Sequence, residues 1–261
     1  MKNIGFASYI GVLLCMQGCS RPEKGTVPTP PASKASAPLF QVDPTTAGSV
    51  SGSVLAPGAA PIRTRIDMSE DPACASAHVG PAYDTQLTLG AQGAVTNAFV
   101  YIAHGLEGKL FAPSTEVATI DQRGCSFQPR VLGLQVGQSL RILNSDPVTH
   151  NIHPMATINR DWNHSQGPGD QPITRRFSKP EVMIPVKCNI HSWMRAYVGV
   201  LDHPYFAVTD RNGHFVLPNL PPGTYTVGLW HERLGRQERQ VTVAPRQTVT
   251  ANFSYNAKGK Q

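Results

Sequence analysis

Apolar residues recur at every second position along much of this chain, in short runs broken by turns. Val50 and Val54 alternate with small polar neighbours in Gly48-Ser-Val-Ser-Gly52-Ser-Val54, and Leu140 and Ile142 alternate in Ser139-Leu-Arg-Ile-Leu-Asn144. A period of two belongs to a half-buried strand; a helix would return its apolar face every three or four residues. Further strands are predicted at Ala98-Phe-Val-Tyr-Ile102, between Phe177 and Lys187, at Arg195-Ala-Tyr-Val-Gly-Val-Leu201, around Phe215 and Leu217, and at 240–243 and 249–253. Asp146-Pro147, Asp210-Arg-Asn-Gly213 and Pro221-Pro-Gly223 supply turns between them. With 23 Gly and 23 Pro in 261 residues there is little room for long helices, and the fold class is all-β.

The first 46 residues break this pattern. Met1-Lys-Asn precedes an apolar run from Ile4 to Leu14, too short to span a bilayer as a mature helix, so residues 1–18 read as a secretory signal. Met16-Gln-Gly-Cys19-Ser20 resembles a bacterial lipobox, with Met16 where Leu is commoner. The resemblance implies lipidation of Cys19 and a lipid-anchored periplasmic protein; Ser20 in place of Asp points to the outer membrane. Cleavage by an ordinary signal peptidase is the alternative. Residues 19–46 are rich in Pro, Ser, Thr and Ala and read as a disordered tether, able to reach roughly 80 Å at about 3 Å per residue.

Candidate chemistry sits near the middle. Cys188-Asn-Ile-His191-Ser-Trp-Met194 places a thiol, an imidazole and a thioether on one tight loop between two predicted strands, and Thr149-His150-Asn151 lies just past a third. Two His and one Cys with a weak axial Met form the ligand set of a blue-copper site: thiolate and thioether favour Cu(I), imidazoles accommodate Cu(II). Gly137-Gln-Ser-Leu-Arg-Ile-Leu-Asn144, Thr149-His150-Asn151 and Cys188-x-x-His191-x-x-Met194 together resemble the cupredoxin family, with the short ligand loop of the amicyanin type, over about residues 115–202. The resemblance implies a Greek-key sandwich holding one type 1 copper through His150, Cys188, His191 and Met194. It also implies that Asn151 ties the two ligand-bearing loops by hydrogen bonds, and that His191 is the more exposed ligand. Trp193, Pro154 and Met155 would then form a small apolar docking face around it. His153 matches a non-ligand position. The long polar stretch between His150 and Cys188, including 155–176, departs from the family pattern.

Of five cysteines, Cys15 leaves with the signal, Cys19 takes lipid and Cys188 takes copper on these readings. Cys74 and Cys125 remain for a disulfide suited to an oxidising compartment, or for a second metal site with His78.

The C-terminal part, Phe206-Ala-Val-Thr-Asp210 through Phe215, Leu217, Pro221-Pro-Gly223-Thr-Tyr225, resembles a carboxypeptidase regulatory-like, transthyretin-type β-sandwich over 203–257. In that family such modules are mostly structural, and Trp230, His231 and Glu232 then read as a wet strand end. The same family begins with a Gly-x-Val-x-Gly-x-Val strand, which here stands far upstream at Gly48–Val54. Residues 47–114 are therefore either the first strands of that sandwich, with the cupredoxin inserted in it, or a region folding onto the cupredoxin.

The formal charge of +6 is scattered over residues such as Arg123, Arg141, Arg195 and Arg239 with no aromatic stripe, which excludes nucleic acid as the natural partner and suits an acidic redox protein. The leading reading is a non-enzymatic electron carrier serving a transient partner such as a c-type cytochrome or a periplasmic dehydrogenase. The rivals are a copper chaperone or store, a structural or carbohydrate-associated module, and an oxidase or reductase with a second metal drawn from His104, His153, His164, His203, His214 or His231.

Overall fold

The computed structural model describes residues 38–256, almost entirely strands and turns. The signal segment and Cys19 lie outside these residues. Part of the expected tether, however, is ordered: the Phe40 ring meets Phe111 at 5.6 Å, and Val42 packs on a core. Large apolar side chains, absent earlier in that stretch, give its end something to bury.

The chain enters at β1 (Gly48–Leu55), makes an excursion containing a short helix α1 (Pro72–Ser76), and returns at β2 (Phe99–His104). Nine strands follow: β3 (Ala118–Gln122), β4 (Phe127–Gln128), β5 (Val131–Gln135), β6 (Leu140–Asn144), β7 (His150–Pro154), β8 (His164–Gln166), β9 (Ile173–Arg175), β10 (Glu181–Lys187) and β11 (Arg195–Leu201). The last six are β12 (Phe206–Val208), β13 (His214–Leu220), β14 (Gly223–His231), β15 (Gly235–Val243), β16 (Thr248–Thr250) and β17 (Phe253–Ser254).

Pairing divides these strands into two lobes. β1 runs antiparallel to β13, with Val50 opposite Leu217, and parallel to β16 and β17. β2 pairs with β12 and β14, and β15 extends that sheet. The two sheets enclose Val50, Val54, Val100, Ile102, Leu217, Tyr225 and Val227, all nearly inaccessible to solvent. Everything from β3 to β11 builds the second lobe, in which sheet β5-β11-β10-β7-β8 and sheet β4-β3-β6-β9 bury Ile120, Leu140, Ile142, Ile152, Ile184, Val198 and Val200. The second lobe is thus inserted between strands of the first. The excursion between β1 and β2 crosses to it as well, placing Met68 and Cys74 in its core.

The lobes meet through a third cluster of Phe99, Tyr101, Val131, Met183 and Leu201. Glycine makes the contact possible: a Cβ on Gly199 of β11 would stand 2.6 Å from Phe99 Cζ and from Met183 Cε, and one on Gly133 of β5 would strike the Phe206 ring. At the rim, Arg130 donates both Nε and Nη2 to the Glu232 carboxylate, the latter at 2.8 Å, with both side chains largely buried. This corrects the wet strand end expected at 230–232. His231 is 2% exposed, its Nδ1 accepts the N–H groups of Arg233 and Leu234, and burial pushes its pKa down to about 4.

The stretch between His150 and Cys188 is not a featureless loop. β8 pairs with β7 beside the first candidate ligand, and β9 pairs with β6. Its base is clamped by Glu181, whose carboxylate accepts from Thr157 N at 2.6 Å, Thr157 Oγ1 at 3.0 Å, and Asn159 N at 2.9 Å. Asn159 Oδ1 in turn accepts from Ser178 N and Lys179 N. Burial alone would raise the Glu181 pKa, but these donors outweigh it and bring it down to about 2.

Two outcomes are expected. Gly199→Val should destabilise the protein by about 1–3 kcal/mol through overpacking, lowering the melting temperature by roughly 2–4 °C per kcal/mol; a variant melting with wild type would show that the lobes do not pack through this position. Glu181→Gln should cost about 1.5–3 kcal/mol at neutral pH. Because the folded pKa is depressed, the Glu181 contribution is full above about pH 4.5 and drains away as pH falls toward about 2. Melting curves of wild type and variant should therefore converge across that window.

Candidate metal centre

Residues from two places in the sequence meet at one end of the inserted lobe. His150 opens β7, Cys188 and His191 lie on the β10–β11 connection, and a ligand atom of each lies within 4.8 Å of the other two. All three residues are buried, His191 at 3% exposure, and Met194, 1% exposed, ends the same connection. The connection is folded by its own backbone: Cys188 N donates to Met194 O at 3.2 Å, Met194 N to His191 O at 3.0 Å, and His191 N to Cys188 Sγ at 3.4 Å.

Asn151 bridges the two ligand-bearing segments. Its backbone N–H points at Cys188 Sγ at 3.5 Å, and its Oδ1 accepts from Asn189 N at 2.6 Å and faces Cys188 Sγ at 3.3 Å. Its Nδ2 donates to Asn163 Oδ1, so the inserted stretch supplies the residue that orients it.

Each imidazole is backed by a carboxylate. His150 Nε2 lies 2.8 Å from Asp146 Oδ2, and His191 Nε2 lies 3.0 Å from Asp71 Oδ2. An ionised carboxylate can only accept, so both Nε2 atoms carry protons, and in the neutral rings the Nδ1 atoms are then the ones with lone pairs. Those Nδ1 atoms face each other at 2.9 Å, with Cys188 Sγ 3.9 Å from that of His191. A proton shared between the two Nδ1 atoms satisfies this contact, and so would a metal ion; with the buried Cys188 thiol alongside, the donor set is one that fits a soft metal ion. Burial holds the His150 pKa below the ordinary imidazole value against the opposing pull of Asp146, which keeps that lone pair free.

Both carboxylates hang on amides at one disulfide. Cys74 and Cys125 are joined, with Cα atoms 5.5 Å apart. Asp71 Oδ1 caps α1 by accepting from Ala73 N and Cys74 N, each at 3.1 Å; the Cys74 amide, then His191, holds its pKa below the usual carboxylate value. Asp146 accepts from Gly124 N at 2.7 Å and Cys125 N at 2.8 Å. The disulfide removes the alternative second metal site, and His78 Nε2 lies instead 2.9 Å from Gly124 O.

The exposure expected of His191 is corrected by this arrangement: the α1 segment covers its ring edge. Pro154 is buried too, and Trp193, half-buried, packs on His191 at 5.0 Å and donates to Cys125 O, so of the expected docking face only Met155 stands clear. Sequence reasoning missed Asp71 and Asp146. Asp146 stands four residues before His150, a visible spacing; Asp71-Pro72 announces only a helix cap. His153 binds Asp161 at 3.1 Å, His203 Nε2 faces Ile102 O, and neither these nor His104, His164, His214 and His231 enter the ligand clusters among the described residues.

Similar solved structures include a purple cupredoxin from Nitrosopumilus maritimus, 22% identical with a TM-score of 0.28, covering 32% of this chain and 98% of that one. An oxidized amicyanin variant is 19% identical with a TM-score of 0.30, covering 39% and 97%. A Cu-containing nitrite reductase from Thermus scotoductus SA-01 is 22% identical with a TM-score of 0.31; the alignment covers 39% of this chain and only 25% of the reductase. No curated protein matches the chain. Residues 195–256, which run from β11 through the last strands of the first lobe, match the model of the carboxypeptidase regulatory-like domain family.

Proposed function

We propose that this protein is an extracytoplasmic, lipid-anchored electron carrier with one type 1 copper held by His150, Cys188, His191 and Met194. The observation that carries this reading is the convergence of two carboxylate-backed imidazoles on a buried thiol. Bound there, copper would supply one-electron exchange between its two oxidation states.

The protein's own groups prepare that chemistry. Asn151 and the amide of His191 direct hydrogen bonds at Cys188 Sγ, which stabilises the thiolate. Asp146 and Asp71 hold both rings in the tautomer whose Nδ1 can bind metal. Core side chains around Met194 keep water out. With His191 covered, one approach is from the side of the buried Cys188, where a pocket of about 390 Å³ is lined by Met155, Cys188, Asn189, Arg195 and Tyr197. Exposed Ile190 beside it, with Lys187 and Arg195, suits an acidic redox protein of the c-type cytochrome or dehydrogenase class. An enclosed site of this kind suits redox cycling better than metal hand-over, which sets it apart from a chaperone or store. The apolar run at Ile4–Leu14 and Cys19 support export and anchoring.

Addition of Cu(II) should give an intense blue thiolate-to-copper band at one copper per chain, bleached by ascorbate and absent in Cys188→Ser. Colourless protein, or copper bound without that band, would overturn the reading. Met194→Leu should move the reduction potential while copper remains bound; loss of the metal would show that Met194 is not a weak axial ligand.

A further inference from the structure

We infer that Asp71 is a positioning residue for the metal centre: it fixes the His191 tautomer from a disulfide-anchored cap that belongs to neither ligand-bearing segment. The inference rests on the metal-site reading above, and concerns how the site is made competent rather than what it does.

Asp71 uses its two oxygens for different tasks. Oδ1 accepts from Ala73 N and Cys74 N and so caps α1; Oδ2 meets His191 Nε2 at 3.0 Å. The first task fixes the carboxylate, because Cys74 is fully buried and bonded to Cys125. The second fixes the ring, because a carboxylate oxygen accepts and cannot donate. His191 must then carry its proton on Nε2, leaving the Nδ1 lone pair toward His150 Nδ1 and Cys188 Sγ. The backbone of the Cys188–Met194 connection places the ring, and within it Cys188 Sγ approaches Nδ1 only at 3.9 Å, a longer contact than the 3.0 Å one that Asp71 makes to Nε2 and uses to select the tautomer. That selection comes from a residue far upstream in sequence.

Asn at this position separates the two tasks. Asn caps helices as well as Asp does, so its carbonyl oxygen can keep the Ala73 and Cys74 amides. Its NH2 group would then face His191 Nε2 and can only donate, driving the proton to Nδ1 and blocking the lone pair the metal needs. Ser keeps a cap but is too short to reach the ring, and imposes neither tautomer.

The test combines ¹⁵N NMR of the histidine rings in metal-free protein with chelator competition for Cu(II) and for redox-inert Zn(II). Wild type should show His191 protonated on Nε2, and Asp71→Asn protonated on Nδ1. Metal-free melting temperatures should be nearly unchanged, while affinity for both ions falls about 10–100-fold in Asp71→Asn and less in Asp71→Ser. Should the Asn variant fail to fold, the fall in Asp71→Ser against an unchanged metal-free melting temperature carries the test. A wild-type ring protonated on Nδ1, or variants with wild-type tautomer and wild-type affinity, would overturn the inference. Because the tautomer is read without metal, a protein that switches tautomer but never turns blue refutes the copper reading and leaves Asp71 in its role. A fully blue Asp71→Asn variant of undiminished affinity does the reverse.

Discussion

The geometry of the candidate metal site is organised around the covalent bond between Cys74 and Cys125. A carboxylate holds the far side of each of the two imidazoles. Asp71 is fixed by the amide of Cys74 and Asp146 by the amide of Cys125, so one cross-link positions both anions. The geometry of the site is therefore set from behind the ligands, by segments that contribute no metal-binding atom themselves.

The inserted lobe is in turn held to its host by shape. Gly133 and Gly199 clear room on one sheet for Phe99 and Phe206 of the other, and the Arg130–Glu232 pair closes the rim. A buried ion pair adds less to stability than its geometry suggests, because both charges lose water; its contribution is to specify one relative placement of the lobes. The apolar contact beside it supplies the driving force.

Much of the architecture was legible in the sequence because strands advertise themselves by alternation. Val50 and Val54, Phe215 and Leu217, Leu140 and Ile142 all point inward as their spacing requires. The ligand candidates were legible because Cys188, His191 and Met194 share a loop. What was not legible depends on contacts between distant segments: Asp71 reaching His191, Arg130 reaching Glu232, and the α1 cap hiding a histidine that its own loop would leave exposed. Composition misled at Phe40 and Val42, where two apolar residues within a Pro-rich stretch suffice to order its end. The strands β8 and β9 were missed because three residues are too few to display a period.

The pairing of Val50 with Leu217 has a kinetic consequence. The first strand of the host sheet waits for a partner that emerges only after the whole inserted lobe, a contact of high order with a large chain-closure entropy. Contacts within the inserted lobe are more local, and once formed they draw its two ends together, leaving a far shorter effective loop for β1 and β13 to close. The inserted lobe is thereby the template on which its own scaffold is completed.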